Sequence, residues 1–138
     1  MSTNKIGDPQ PEVLVVPSEP VAKILYVEDD EGVREMTQDI LESSGYDVIA
    51  ASNAETALTA IETHGRFDLL LTDLSLPGMD GRELAQRAQA NQNDLRVVLV
   101  TGYAGADADA TSHLPPATGL LRKPFTLREL LNSVRQAL

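Results

Sequence analysis

Five short apolar segments alternate along this chain with segments of helical periodicity, and this alternation restricts its fold more than any other feature. The apolar segments are 24–27, 46–51, 67–72, 96–100 and 119–122. The helical segments that follow them are 31–44, 53–64, 82–90, 102–116 and 126–138. Strands that alternate with helices favour a parallel sheet, because right-handed crossovers place helices against its faces. We therefore predict an α/β fold with a five-stranded parallel sheet and helices on both faces.

The helical segments differ in how well they are anchored. Asn53 is placed to cap the second helix, and Thr126 with Glu129 has the spacing of a capping box at the last one. By contrast, Ala, Asp and Gly dominate segment 102–116, and Pro115 with the next proline ends it. We expect this segment to form at most a short helix that opens at a low local free energy.

The first 21 residues differ from the rest of the chain. They hold four of the eight prolines, whose spacing disfavours both a helix and a central strand. We predict a proline-rich tail or linker at 1–21 and one domain at 22–138, with 13–16 as an alternative edge strand.

Composition excludes several classes of function. The net charge is −10, so no direct binding of nucleic acid through a basic surface is expected. There are no cysteines and only two histidines, which excludes thiolate metal sites and a histidine-based zinc site. No apolar run reaches the length of a membrane span, and no signal peptide is recognisable, so we expect a soluble, cytoplasmic protein without membrane contact.

Polar and charged residues follow four of the five predicted strands. Acids occupy 28–31, and Asp73, Thr101 and Lys123 follow the third, fourth and fifth strands. In open parallel sheets the carboxyl ends of the strands form the ligand site. Crowded carboxylates repel each other unless a cation is present, and Mg²⁺ prefers oxygen ligands. The sequence therefore predicts a Mg²⁺ site, with Mn²⁺ as an alternative, at which Asp73 attacks a phosphoryl group.

Four segments in this order resemble the response-regulator receiver domain of two-component signalling. They read ILYVEDD at 24–30, LTDLSLPGMDG at 71–81, VTGY at 100–103 and RKPF at 122–125. The resemblance covers about residues 22–138. It implies the flavodoxin-like strand order 2-1-3-4-5.

The resemblance also implies a role for each matching residue. Asp73 corresponds to the phosphoacceptor, Thr101 to the switch hydroxyl and Lys123 to the lysine that contacts the phosphoryl group. Glu28 and Asp29 correspond to the acidic pair, with Asp29 expected as the direct metal ligand. The Asp73 carboxylate and the backbone carbonyl of Ser75 are expected to complete the metal site. The bond between Lys123 and Pro124 is expected to be cis.

One position departs from the family pattern. Most members carry Tyr or Phe three residues before the lysine, where this chain has Leu120. Tyr103 is the nearest aromatic substitute, and a partly exposed position at the rim is the alternative for it. Gly102 is expected to leave space beside the phosphoryl group.

The implied function is that of a phosphoacceptor in a phosphorelay. A histidine kinase or a histidine phosphotransfer protein is expected to supply a phosphohistidine. The phosphorylated 101–123 face is then expected to bind a downstream protein. The receiver takes part in its own phosphorylation and dephosphorylation, so we expect no separate substrate and no enzyme in the usual sense. A stand-alone regulator and a fragment of a hybrid kinase both remain open, as does the oligomeric state.

Three other functions are weighed against this one. A phosphatase of the haloacid-dehalogenase type needs an acid two residues after the nucleophile, where this chain has Ser75. A nucleotide or flavin binder needs a Gly/Ser/Thr-rich phosphate loop after the first strand, where this chain has acids. The intact acid, hydroxyl and lysine set argues against a pseudo-receiver that serves only for contacts.

Overall fold

The structure, a computed structural model, describes residues 21–102 and 118–138. Its elements in chain order are β1 Lys23–Val27, α1 Glu31–Ser43, β2 Asp47–Ala51, α2 Ala54–His64, β3 Leu69–Asp73, β4 Ser75–Leu76, β5 Met79–Asp80, α3 Gly81–Asn91, β6 Arg96–Thr101, β7 Thr118–Arg122 and α4 Leu127–Ala137. The predicted tail lies outside the described residues except for Val21. The predicted segment 102–116 lies outside them except for Gly102.

Five strands form one parallel sheet in the order β2-β1-β3-β6-β7. Counted along the chain, these five strands have the order 2-1-3-4-5, which confirms the predicted architecture. β1 and β3 are therefore interior strands, and all five residues of β3 are buried. The order reverses between β1 and β3, and this is the place where open α/β sheets bind ligands.

Each face of the sheet is covered by a hydrophobic cluster. Leu25 and Val27 of β1 point into one cluster, which also contains buried residues of α2 and α3. Ile24 and Tyr26 alternate with them and point into the other cluster, to which α1 and α4 contribute. The sheet is thus covered by helices on both faces, and the polar residues at the strand ends lie beyond both clusters.

Local sequence signals determine where the described helices begin. The Asp30 side chain accepts a hydrogen bond from Val33 N at the start of α1, and Asn53 caps α2 in the same way. At α4, Thr126 and Glu129 form the predicted capping box. Among the described residues no helix is long and apolar enough to cross a membrane.

Two differences from the sequence prediction exceed a single residue. The third strand begins at Leu69 instead of residue 67, because Phe67 already pairs its backbone with the side chain of Gln92. The segment 76–81, between the predicted third strand and third helix, is expected to be a loop, but it takes part in a small antiparallel pair in which Leu76 lies opposite Met79. Pro77 and Gly78 connect the two strands, and Gly78 has a φ of 77°, a pattern typical of a type II turn.

Candidate functional site

The carboxyl ends of four strands bring the predicted site residues together at one edge of the sheet. Glu28 and Asp29 follow β1, Asp73 ends β3, Thr101 ends β6, and Lys123 follows β7. Main-chain hydrogen bonds extend the sheet just past these ends: Leu74 N donates to Val100 O at 2.9 Å, and Lys123 N donates to Thr101 O at 2.7 Å. The residues are therefore held by the sheet itself.

Three carboxylates form the acidic part of this site. One oxygen from each of Glu28, Asp29 and Asp73 lies within 4.8 Å of the other two. Glu28 and Asp73 are buried, with 2% and 6% of their surface exposed, whereas Asp29 is exposed. A set of oxygen ligands at this spacing, open to solvent on one side, fits a hard divalent cation that keeps some of its waters.

Lys123 supplies the positive charge of the site. Its Nζ lies 3.1 Å from Asp73 Oδ1 and 3.2 Å from Glu28 Oε1, so it bridges two of the three carboxylates. Burial alone would lower the pKa of Lys123, but the hydrogen bonds and charges of Asp73 and Glu28 outweigh burial and raise it. The ammonium group therefore stays charged. The peptide bond that joins Lys123 to Pro124 is cis.

The pKa of Asp73 is raised to about 7. Burial is the largest cause, the neighbouring Glu28 adds to it, and Lys123 opposes it. A carboxyl group perturbed by desolvation and a like charge, at the switch point of an open sheet, is typical of a functional group.

Glu28 is held by donors on both carboxylate oxygens. Oε1 faces Lys123 Nζ, and Oε2 accepts a hydrogen bond of 3.1 Å from Asp30 N. Asp30 itself points away from the acidic cluster, because its Oδ1 caps α1. Sequence reasoning left Asp30 without a role, although its position just before a predicted helix carried the capping signal.

The other predicted residues lie around the cluster. Thr101 is buried, with 5% of its surface exposed. Ser75 is exposed at the start of β4, two residues after Asp73. Among the described residues, no heavy atom lies within 4 Å of a Cβ added at Gly102. Leu120 is 47% exposed on β7, and Tyr103 lies outside the described residues.

Gly81 is a site residue to which sequence reasoning gave no role. It is buried at the start of α3, and its N–H donates to Leu74 O at 2.6 Å. A Cβ built on it would lie 2.2 Å from Asp73 O and 2.9 Å from Leu74 Cα. Only a residue without a side chain permits this approach to the main chain of Asp73.

An apolar groove of about 480 Å³ adjoins the site. Its lining joins the first half of α1 to the loop after β7 and consists of Val33, Met36, Gly102, Lys123, Pro124 and Phe125. Met36 is 56% exposed. The groove thus places exposed apolar surface next to the ammonium group that contacts Asp73.

Comparison with known proteins gives consistent matches. The model of the response regulator receiver domain family matches residues 24–135. The response regulator receiver protein CpdR of Brucella abortus is 38% identical over 116 residues, which are 84% of this chain and 96% of that protein. Sporulation initiation phosphotransferase F of Bacillus subtilis is 34% identical over 116 residues, 84% of this chain and 93% of that protein.

Solved structures agree with the sequence matches. The response regulator protein TrrA of Thermotoga maritima, crystallised in complex with Mg²⁺ and BeF, superposes with a TM-score of 0.75 at 29% identity. The alignment covers 86% of this chain and all of that one. In other curated relatives the matched part belongs to a much longer protein, and it is 12% of the length in one of them.

Proposed function

The chain belongs to the response regulator receiver domain family, and we propose that it is a phosphoacceptor that takes a phosphoryl group from a phosphohistidine onto Asp73. The observation that carries this proposal is the contact of Lys123 Nζ with both Asp73 and Glu28, beside an exposed Asp29. Two acids, Glu28 and Asp29, and one lysine thus surround the Asp73 carboxylate.

Asp73 acts as the nucleophile in this proposal. One of its carboxylate oxygens forms a bond to phosphorus while the bond from phosphorus to the imidazole nitrogen of the donor breaks, which leaves an acyl phosphate. The attacking group has to be ionised. Burial and the charge of Glu28 disfavour ionisation, and Lys123 favours it.

The acidic cluster fits Mg²⁺, and Asp29, Glu28, Asp73 and the backbone carbonyl of Ser75 are the groups proposed to hold it. When bound, Mg²⁺ neutralises the crowded carboxylates and the developing charge on the phosphoryl oxygens. Because Glu28 is already bonded by Lys123 and Asp30 N, the exposed Asp29 is the freest of the carboxylates to bind the cation directly. Mn²⁺ has similar preferences among oxygen ligands.

Two side chains are proposed to bind the phosphoryl group once it is on Asp73. The ammonium of Lys123, now 3.1 Å from an Asp73 oxygen, pairs with a phosphoryl oxygen. The buried hydroxyl of Thr101 donates a hydrogen bond to another. Gly102 has no side chain that would hinder the approach of a donor group to the carboxylate.

The partner that supplies the phosphoryl group is proposed to be a histidine kinase or a histidine phosphotransfer protein. The apolar groove beside Lys123 supports this proposal, because a protein donor has to bury some surface next to Asp73 to present its imidazole. A downstream protein is proposed to bind the 101–123 face.

The conformational response remains a prediction. Leu120 is not aromatic and cannot provide the inward rotation of a ring that the family pattern implies. We propose that phosphorylation orders segment 102–116 instead, as a shift between populations. Hydrogen exchange with and without beryllofluoride should show increased protection there, and Thr101→Ala should weaken the increase. Equal protection in both states would exclude this response.

Intact mass spectrometry tests the proposed chemistry. After incubation with Mg²⁺ and acetyl phosphate, the wild-type protein should carry one phosphoryl adduct, and Asp73→Asn should carry none. Asp68→Asn is a matched control, because Asp68 is an exposed acid at the opposite end of the same strand, where it binds Lys23 N. An adduct that persists in Asp73→Asn would contradict the assignment.

A further inference from the structure

The three residues 28–30, here called the acidic loop, carry the carboxylates that follow β1. The main chain of this loop is fixed at several points. Glu28 N donates to Ala51 O at 3.1 Å, and Asp30 N donates to Glu28 Oε2 at 3.1 Å. The loop is therefore held to β2 on one side and to its own buried glutamate on the other.

Arg34, on the first turn of α1, makes two further bonds to this loop. Its side-chain Nη1 donates to the carbonyl oxygen of Glu28 at 2.9 Å, and its main-chain N donates to the carbonyl oxygen of Asp30 at 2.8 Å. The main-chain bond to Asp30 would form in any helix that begins at this position. The side-chain bond to Glu28 requires a long side chain with a donor at its end, which here folds back across six positions.

These two bonds flank Asp29. Asp29 is exposed, and its carboxylate makes no hydrogen bond or ion pair with the other described residues. Its position within 4.8 Å of the Glu28 and Asp73 oxygens is therefore determined by the main chain on either side of it. The carbonyl of the preceding peptide is held by Arg34, and the amide of the following residue is held by Glu28.

We propose that Arg34 is a positioning residue, which holds the acidic loop so that the Asp29 carboxylate faces Asp73 before a cation arrives. This inference rests on the proposed function, because it concerns the same Mg²⁺ site. Groups that orient metal ligands through a hydrogen bond typically contribute 10- to 100-fold to metal affinity. The half-buried guanidinium is suited to this role because its planar fork loses little freedom when it binds a carbonyl.

Replacement of Arg34 has two opposite effects on the affinity for Mg²⁺, so the direction of the measured change decides which of them dominates. Arg34 is a cation near a cation site, so loss of its charge alone would make Mg²⁺ bind more tightly. Loss of the hydrogen bond would release the acidic loop and make Mg²⁺ bind more weakly. The half-exposed guanidinium is screened by water, so we expect the hydrogen bond to dominate.

The test compares Arg34→Met with wild type and with Arg66→Met. Methionine keeps an unbranched side chain without the donor. Arg66 is a matched control, because it pairs with Asp94 on an exposed surface remote from the acidic loop. Three quantities are measured: the Mg²⁺ dissociation constant by calorimetry, the hydrogen exchange of amides 29 and 30 in EDTA, and the free energy of unfolding in EDTA.

Arg34→Met should bind Mg²⁺ about 10-fold more weakly, with faster exchange at amides 29 and 30. Arg34→Lys, which keeps a charged donor, should lie between Arg34→Met and wild type, and Arg66→Met should match wild type. If Arg34→Met does not fold cooperatively, Arg34→Lys takes its place with the same expected direction. Mg²⁺ binding by Arg34→Met that equals or exceeds that of wild type would overturn the proposal.

Failure of the proposed function gives a different result. If wild type binds no Mg²⁺ and forms no adduct with acetyl phosphate, the metal site itself is wrong. Exchange at amides 29 and 30 in EDTA still tests the role of Arg34, and equal exchange in wild type and Arg34→Met would overturn it.

Discussion

Gly81→Ala should impair phosphorylation although it changes no charged or polar side chain. The added Cβ would lie 2.2 Å from Asp73 O and 2.9 Å from Leu74 Cα. Both contacts involve main-chain atoms, so rotation of a side chain cannot relieve them. Either the end of β3 or the start of α3 has to move by about 1 Å, and misplacement of this size at a reacting group costs roughly 10²-fold in rate.

Gly81→Ala should lower the free energy of unfolding only moderately, whereas it should lower the phosphorylation rate strongly. Overpacking at a tight site typically costs about 1–3 kcal/mol, and Gly81 is the first residue of α3, where the higher helix propensity of alanine offsets little. Most molecules of the variant should remain folded at room temperature. A loss of phosphorylation rate would then reflect the position of Asp73 and not the fraction of folded protein.

The assay measures the initial rate of phosphorylation by acetyl phosphate in Mg²⁺, together with the free energy of unfolding in urea. Gly32→Ala is the control, because Gly32 also lies near the site, in α1, but its added Cβ would meet only Asp30 Oδ1 at 3.5 Å. Its rate should equal that of wild type. If Gly81→Ala loses stability but keeps the wild-type rate, α3 moves instead of β3 and the reasoning about Asp73 is wrong.

Other residues allow further tests. The folded-state pKa of Asp73 is raised to about 7, so its carboxylate destabilises the metal-free fold increasingly as pH rises from the unfolded pKa, which is about 4, towards 7. Asp73→Asn in EDTA should therefore gain clearly more stability over wild type at pH 8 than at pH 5, and an equal gain at both values would contradict the raised pKa. Mg²⁺ should raise the melting temperature of wild type by binding the folded state, and a shift that is undiminished in Asp29→Ala would argue against the metal site. Gly102→Val should slow phosphorylation by acetyl phosphate by filling the space beside Asp73, while the Mg²⁺ dissociation constant stays unchanged; a wild-type rate would show that donors approach from elsewhere. Thr126→Ala should cost about 1 kcal/mol by removing the α4 cap without changing the phosphorylation rate, and urea unfolding measures whether the cap contributes as expected.

Local patterns were sufficient to predict the sheet and the residues at its edge. Alternation of apolar and helical segments indicated five parallel strands, and each of Asp73, Thr101 and Lys123 ends or follows a strand. Parallel strands place their carboxyl ends at one edge, so the meeting of these residues follows from the order of the strands. The chemical roles of these residues stay predictions.

Contacts between distant or main-chain groups could not be predicted in the same way. The bond from Arg34 to the Glu28 carbonyl depends on the angle between α1 and the end of β1. The spacing of apolar residues in the sequence does not predict that angle. The close approach of Gly81 to Asp73 depends on how α3 packs against β3. The pKa of Asp73 depends on burial and on charges that come from β1 and from the loop after β7.

The ion pair between Lys123 and Glu28 joins residues that are 95 positions apart in the chain. Closure of so long a loop costs conformational entropy, and contacts of this separation tend to form late in folding. Lys123 also follows β7, which within the described ranges 21–102 and 118–138 is an edge strand paired only with β6. In a molecule in which β7 is not paired with β6, Glu28 and Asp73 lack the ammonium group of Lys123 that neutralises them. If Asp73 accepts a phosphoryl group as proposed, phosphorylation should therefore require complete assembly of the sheet, and incompletely folded chains should not become phosphorylated.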